Sequence, residues 1–367
     1  MKHYRPAYYK DFRCIASECS DNCCIGWEID IDEKSAAFYR SVGGDFGCRL
    51  KQNIFRDENG SQFILKGERC PFLNEKNLCD IYIHLGESAL CEICTQHPRY
   101  HEWYGDWKES GVGLCCEAAG RLIFSQNETA FELTDIDEEA GEAVDESLFS
   151  ALFIARETAM KLIQRQELSF GERLTLLQDF ADELQEALDF EDIEGIRSIA
   201  NEYAMFNSID KLPIGEENAL KNILDFLSGL EPIDPEWPAL LQHIKENLPE
   251  VLSARRKLQT VYPNYQKEME QLAIYFIFRY FCKALFDGDI RSRTMLCSIA
   301  CIVVSLLDGE TFLRKGSFSL EDRIFTAKQF SKEIEYCTEN LEALADHCWQ
   351  EDFSVFDVIA AVMGDFA

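Results

Sequence analysis

The chain has 367 residues, room for two ordinary domains or one with an elaboration, and its 47% hydrophobic and 28% charged side chains exclude a disordered polymer. With 66 acidic against 36 basic side chains the formal charge is −30. That charge repels phosphate backbones and anionic lipid, which sets nucleic acid and membrane surfaces aside and favours partners rich in lysine or arginine.

The first ten residues, Met1 to Lys10, are polar and aromatic and lack the apolar stretch of an export signal. Without export the chain is expected in the cytoplasm, where thiols stay reduced. Eleven of the 16 cysteines lie in residues 1–126, so metal binding is favoured over disulfides. Cys14, Cys19, Cys23 and Cys24 come first, close enough in sequence to converge through tight turns, with Gly26-Trp27 just after them. Cys70-Pro71-Phe72-Leu73 and Cys79 follow, then Cys91-x2-Cys94, then Cys115-Cys116. Thiolates select zinc or iron–sulfur clusters, and this irregular spacing leaves the two open. Between the cysteines the runs are short and turn-rich, with Gln62–Lys66 and Leu78–Ile83 expected as short strands. A segment that buries so little needs metal to be stable. His97-Pro98-Arg99 and His101 add a ligand or acid–base candidate and an anion clamp, each set against ordinary packing or a surface ion pair.

Residues 1–126 carry a net charge of −4 and the remainder −26. The stretch between, Ser125–Glu146, has nine acids and no base and reads as an acidic linker. From about 145 the apolar period becomes 3.6: Leu148, Leu152, Ala155 and Ala159 line one face, and Leu174, Leu177, Phe180 and Leu184 another. Helices are expected again at Glu216–Leu230, Pro238–Leu248, Tyr265–Phe286, Ser292–Leu307, Leu320–Leu344 and Phe353–Met363, with prolines between them. The most apolar stretches, Leu272–Phe286 and Met295–Leu307, fall short of the about 20 residues that span a bilayer and read as buried helices. The tyrosines Tyr262, Tyr265, Tyr275 and Tyr280, with Trp103 and Trp107, are candidates for a cation–π lysine channel, although Tyr275 and Tyr280 sit on an apolar helix. No dinucleotide fingerprint, phosphate loop, nucleophile elbow or His-Glu-x-x-His is present. The expected fold is mainly α. A small irregular cysteine-rich metal- or cluster-binding domain (1–126) leads through an acidic linker (127–146) into an all-α helical bundle (147–367).

Phe12-Arg13-Cys14 through Cys23-Cys24-Ile25-Gly26-Trp27 resembles the flagellin lysine-N-methylase family, which shares its cysteine pattern with a broader zinc- or iron-chelating group. The resemblance continues at Cys70-Pro71-Phe72-Leu73, Leu78-Cys79, Leu85-Gly86-Glu87 and Cys94-x2-His97-Pro98-Arg99, where the family usually has tyrosine at the His97 position. Cys115-Cys116-Glu117-Ala118-Ala119 and Ser331–Tyr336 with Glu339-Asn340-Leu341 complete it. It implies a bacterial cytoplasmic enzyme that methylates lysine ε-amino groups of flagellin, with S-adenosylmethionine as donor. It also implies an iron–sulfur cluster, of the four-iron type, with zinc as the alternative. Carried over, the ligand candidates are Cys14, Cys19, Cys23, Cys24, Cys70, Cys79, Cys94 and Cys115, more than one cluster needs, so some are structural or form a second site. Cys48, Cys91 and Cys116 fall outside the family pattern. The rival readings are a non-enzymatic metal or cluster carrier and a thiol redox sensor, either one using the helical half to dock a partner.

Overall fold

Aromatic residues on both sides of Gly105-Asp106 suit a two-residue hairpin, and Gly105 takes the positive φ (63°) such a turn asks for. That hairpin is the centre of the N-terminal sheet. The computed structural model describes residues 1–363 apart from 20–22, 27, 59, 68 and 206–216. Its strands are β1 (Lys2–Pro6), β2 (Asp30–Ile31), β3 (Ile54–Arg56), β4 (Ser61–Phe63), β5 (Arg99–Tyr104), β6 (Trp107–Val112) and β7 (Phe131–Asp135). The first helices are α1 (Glu33–Ser41), α2 (Gly44–Gln52), α3 (Asp80–Leu85), α4 (Glu92–Gln96) and α5 (Glu117–Phe124). Then come α6 (Glu146–Ile163), α7 (Phe170–Asp189), α8 (Ile193–Met205), α9 (Glu217–Ser228), α10 (Trp237–Glu246) and α11 (Leu248–Val261). The chain ends in α12 (Tyr265–Tyr280), α13 (Ala284–Asp287), α14 (Ile290–Lys315), α15 (Leu320–Glu335), α16 (Thr338–His347) and α17 (Val355–Met363). The molecule is mainly α, and among the described residues no strand follows β7.

One sheet has the order β5-β6-β1-β7; β1 runs parallel to β6 and antiparallel to β7. Phe131–Asp135 lies inside the acidic stretch read as a linker, and it forms a strand because β1 offers an open edge. A smaller sheet, β2-β4-β3, lies among the cysteines. Leu78–Ile83, expected as a strand, is mostly α3. Cys79 stands at its N-cap, Asp80 occupies the first turn, and Gly86 ends it at a φ of 87°. Leu320–Leu344 is not one helix but two. The side-chain amide of Asn340 donates to the Glu333 carbonyl (2.7 Å), satisfying the end of α15 where the chain turns.

Much of the helical half forms where the 3.6 period placed it, α8 and α11 being helices that the expected set did not include, and caps explain the ends. Asp145 accepts from the Ser147 and Leu148 N–H groups at α6, and Ser169 and Glu172 form a reciprocal capping box at α7. Pro238 and Pro249 sit in the first turns of α10 and α11, where a missing N–H costs nothing. Glu216, the first residue of one expected helix, is outside the described residues. The expected apolar stretches are interior: α14 is the described helix long and apolar enough to cross a membrane, and its most apolar window is 94% buried inside the protein.

Two hydrophobic cores result. The large one joins the helices to Tyr8, Phe12, Tyr104, Val112, Leu114 and the buried face of α5. The small one is built from Ile29, Ile31, Tyr39, Leu50, Phe63, Phe72 and Ile81 and includes Cys70 and Cys91. The four-stranded sheet therefore shares the core of the helical half, while the segment around residues 24–94 has its own. A buried bidentate pair pins sheet to helix: Arg156 of α6 donates to both Glu109 oxygens of β6, each at 2.6 Å, with exposures of 0% and 4%.

Candidate metal centre and its joint to the helical half

The turn-rich segment folds its thiols toward the small core, because cysteine packs as a small hydrophobe until a metal claims it. The Cys70 N–H donates to the Cys24 carbonyl at 2.8 Å, which pulls the second cysteine motif against the first. Cys91 and Cys94 face each other with sulfurs 3.4 Å apart. Cys24, Cys79 and Cys94 pack on the core that contains Cys70 and Cys91. These five thiols act on one another. A hydrogen bond with the Cys23 thiol, burial, and the charges of Cys23, Cys70 and Cys79 all push Cys24 up. The hydrogen bond with Cys91, burial, and the charges of Cys91, Cys24 and Cys70 do the same to Cys94, while Cys91 is lowered by its bond from Cys94. Burial raises Cys79 and pushes Cys70 up to about 11.

A second set lies at the start of α5. Burial pushes Cys116 up to about 11 against the help of the Ala119 and Ala118 N–H groups, and the charges of Cys19 and Cys23 raise it further. Beside it, the Cys115 sulfur is 3.9 Å from His97 Nε2, and Cys19 is 3.9 Å from Glu117. Cys14 is exposed and its sulfur accepts from the Ala16 N–H (3.4 Å); Cys48 is exposed on α2. Trp27, part of the Gly-Trp motif, lies outside the described residues.

Among the described residues no three histidine, cysteine, aspartate or glutamate side chains stand close enough together to grip one ion as they lie. The donor set still fits a thiolate-bound metal or cluster. Five soft sulfurs gather around one small core, four of them held from ionising by burial and by neighbouring thiols, and a cation is what lets such a set become thiolates together. Spacing favoured Cys91 as half of a Cys-x2-Cys pair, and only the family pattern left it out; the structure places it beside Cys94.

Sequence reading missed the joint behind Cys115. Arg279 of α12 lies among Tyr100, Tyr275, Tyr280 and Tyr336, with ring centroids at 4.5, 5.9, 5.3 and 5.4 Å. Its guanidinium pairs with Glu335 at 2.9 Å, and the Tyr275 and Tyr280 hydroxyls donate to the same carboxylate oxygen at 2.9 Å. The next residue, Tyr336, hydrogen-bonds the Cys115 sulfur and stands edge-on to the His97 ring, 6.0 Å away. Gly113 makes room: a Cβ there would come within 2.0 Å of the Tyr336 hydroxyl. His97, half-buried, is pulled down to about 4 by desolvation and is neutral near pH 7. Four of the six aromatic residues suggested for a lysine channel hold this chain's own cations: Tyr275 and Tyr280 flank Arg279, Tyr265 faces Arg323 (4.8 Å), and Trp103 faces Lys108 (5.1 Å), while the Tyr262 hydroxyl donates to Glu268 (2.7 Å). Trp107 packs on Phe149 and Phe153.

The model of the FliB lysine N-methylase C-terminal domain matches residues 156–361, more than half of the chain. The Flagellar biosynthetic protein FliU of Salmonella muenchen is 31% identical over 129 residues, 32% of this chain and 75% of that protein. Proteins named Lysine-N-methylase from Salmonella choleraesuis and Salmonella typhimurium are each 30% identical over 129 residues. That is 32% of this chain, which spans only 31% of the length of each of these two relatives. No solved structure matches.

Proposed function

The chain belongs to the FliB lysine N-methylase family, and we propose that it is a cytoplasmic protein-lysine N-methyltransferase acting on flagellin, with S-adenosylmethionine as methyl donor. Its working parts are a cysteine-bearing unit, residues 1–126, and a helical unit, residues 147–367, on either side of an acidic stretch. One observation carries the reading. Three of the motif blocks behind the family resemblance, far apart in sequence, meet at a single joint, where Tyr336 of the helical half bonds Cys115 beside His97. A cysteine unit attached by a loose tether, as a simple carrier would have, requires no such seam.

In this reading Cys24, Cys70, Cys79, Cys91 and Cys94 hold an iron–sulfur cluster or zinc. The bound group would supply a cationic centre that ties the segments around the small core together. The protein's own residues do the rest. The Arg279–Glu335 pair and its tyrosines fix Tyr336 against the cysteine unit, and the acidic surface of the helical half draws a lysine-bearing substrate toward it. The substrate ammonium has to lose its proton before its nitrogen can attack a methyl sulfonium.

Two surface cavities do not fit the donor. In one, of about 480 Å³ between α11 and α14, the Lys257 ammonium stands over the Phe312 ring at 5.9 Å and would oppose a sulfonium. In the other, of about 670 Å³ beside Cys70, Arg49 is committed to Asp80 and the Pro71 carbonyl, and Arg69 to Leu73, Asn74 and Asn77. Paired serine variants test the ligand assignment. Cys91→Ser is expected to lose bound metal and methyl transfer to flagellin, whereas Cys14→Ser keeps both. Metal analysis and a labelled-methyl assay read the two, and the reverse pattern would return the ligand set to the family pattern.

A further inference from the structure

β7 is an outer strand of the four-stranded sheet, and among the described residues no strand pairs with its free side. Register fixes which of its groups face outward. The Ile136 N–H donates to the Met1 carbonyl and the Ala7 N–H to the Ala130 carbonyl, so with Lys2 opposite Asp135 the even-numbered positions of β7 bond β1. The N–H and C=O groups of Phe131, Leu133 and Asp135 therefore point away from the sheet, with no hydrogen-bond partner among the described residues. Natural edges are commonly blunted by lysine, proline, a bulge or a covering element. Phe131-Glu132-Leu133-Thr134-Asp135 has neither lysine nor proline, and Leu133 is 50% exposed. Acids frame this edge instead. Asp135 and Glu132 already hold ammonium groups, those of the chain's own Lys2 (2.8 Å) and Lys10 (2.6 Å). Glu128 before the strand, and Asp137 and Glu139 after it, are exposed and have no ion pair among the described residues.

We propose that the open edge of β7 takes an extended, lysine-bearing segment of the protein substrate as a fifth strand. Main-chain bonds to the outward N–H and C=O groups hold such a segment whatever its sequence, and the acids at both ends of the edge select lysine. A second copy of this chain, with its charge of −30, is repelled by the same acids. The edge is also well placed. β1 runs parallel to β6 with Tyr4 opposite Glu109, and Pro6 lies opposite Phe131. The Phe131 end of β7 is therefore at the end of the sheet where β6 leaves Val112 for Gly113 and Cys115. Two strand spacings, about 10 Å, separate β7 from β6. A captured segment is thus laid along the sheet whose last residues lead to the joint with Tyr336.

The inference rests on the methylase reading above but can fail separately. Amide exchange of the full chain is measured with and without monomeric flagellin, and slower exchange across residues 131–135 is expected whether or not a methyl group is transferred. Leu133→Pro removes an outward N–H and leaves the bonds to β1 whole, the side of an edge strand on which proline is tolerated. Leu133→Ala keeps that N–H. The proline variant is expected to raise KM for flagellin roughly tenfold, the worth of a lost main-chain bond and some crowding, with kcat unchanged. The alanine variant should stay near the parent, and added salt should raise KM in all three. Both variants are expected to melt with the parent; the exchange readout uses the unaltered chain and decides even if the proline variant is destabilised. An active enzyme whose 131–135 amides flagellin leaves unprotected, or whose KM is the same in Leu133→Pro, overturns the edge and leaves the methylase standing. Protection of 131–135 without methyl transfer overturns the methylase and leaves the edge, and neither effect overturns both. A parent dimer that Leu133→Pro turns into a monomer makes a second copy the occupant and also overturns the inference.

Discussion

Replacing Arg156 by methionine is expected to destabilise the protein by about 3–5 kcal/mol, the usual cost of leaving one member of a buried ion pair behind. Glu109 is 4% exposed and takes both of its short charged hydrogen bonds from Arg156, so the variant strands a buried carboxylate between β6 and α6. The rings of Phe153 and Phe278, 5.0 and 5.1 Å from the guanidinium carbon, leave water no easy way to replace the lost partner. At about 2–4 °C per kcal/mol, the figure for domains of roughly 150–250 residues, Tm should fall by on the order of 10 °C. Pairing the change with Glu109→Met should recover most of that loss, because two apolar side chains of similar volume remove the unpaired charge. Thermal unfolding of the single and double variants measures both effects. If the single variant melts with the parent, the seam between sheet and helices is not held by this pair.

Stripping the proposed metal should unfold one part of the chain and spare the other. The small core has few large apolar side chains, chiefly Ile29, Ile31, Tyr39, Leu50, Phe63, Phe72 and Ile81, too little burial to hold so many turns on its own. Structural zinc contributes about 10–16 kcal/mol in zinc-finger peptides, far more than this core can forgo. A chelator under reducing conditions, or Cys70→Ser, is therefore expected to erase slow amide exchange across the 24–94 segment. Protection should persist in α12 and α14, whose packing is apolar and owes nothing to metal. Hydrogen exchange resolves the two regions. Unchanged protection in the 24–94 segment after metal loss would mean that the thiols only pack.

The sequence was most legible where one physical rule acts alone. The Leu148–Ala159 stripe became α6 and the Leu174–Leu184 stripe α7 because burying one face is all those segments need. It was least legible where partners are distant. Lys2–Pro6 looks unremarkable until β6 and β7 supply its pairs, and β7 itself was hidden in a run of acids. Leu78–Ile83 satisfied a strand pattern, but Cys79, Asp80 and Gly86 punctuate a helix. The clustering of thiols was plain from spacing, yet their division between two cores was not, since it depends on which core each segment packs against. Arg279 and Glu335 gave no local sign of their pairing, which exists only once α12 and α15 lie side by side. For the ligand set, the bare Cys-x2-Cys spacing of Cys91 and Cys94 proved the better guide to proximity than the family pattern that omitted Cys91.

The most direct test of the central claim is a methyl-transfer assay. Anaerobically purified protein is incubated with flagellin and S-adenosylmethionine, and the flagellin is read by intact mass and peptide mapping. The account predicts mass gains in methyl-sized steps, located on lysine side chains and lost in Cys91→Ser. Folded, metal-loaded protein that leaves every flagellin lysine unmodified would contradict it.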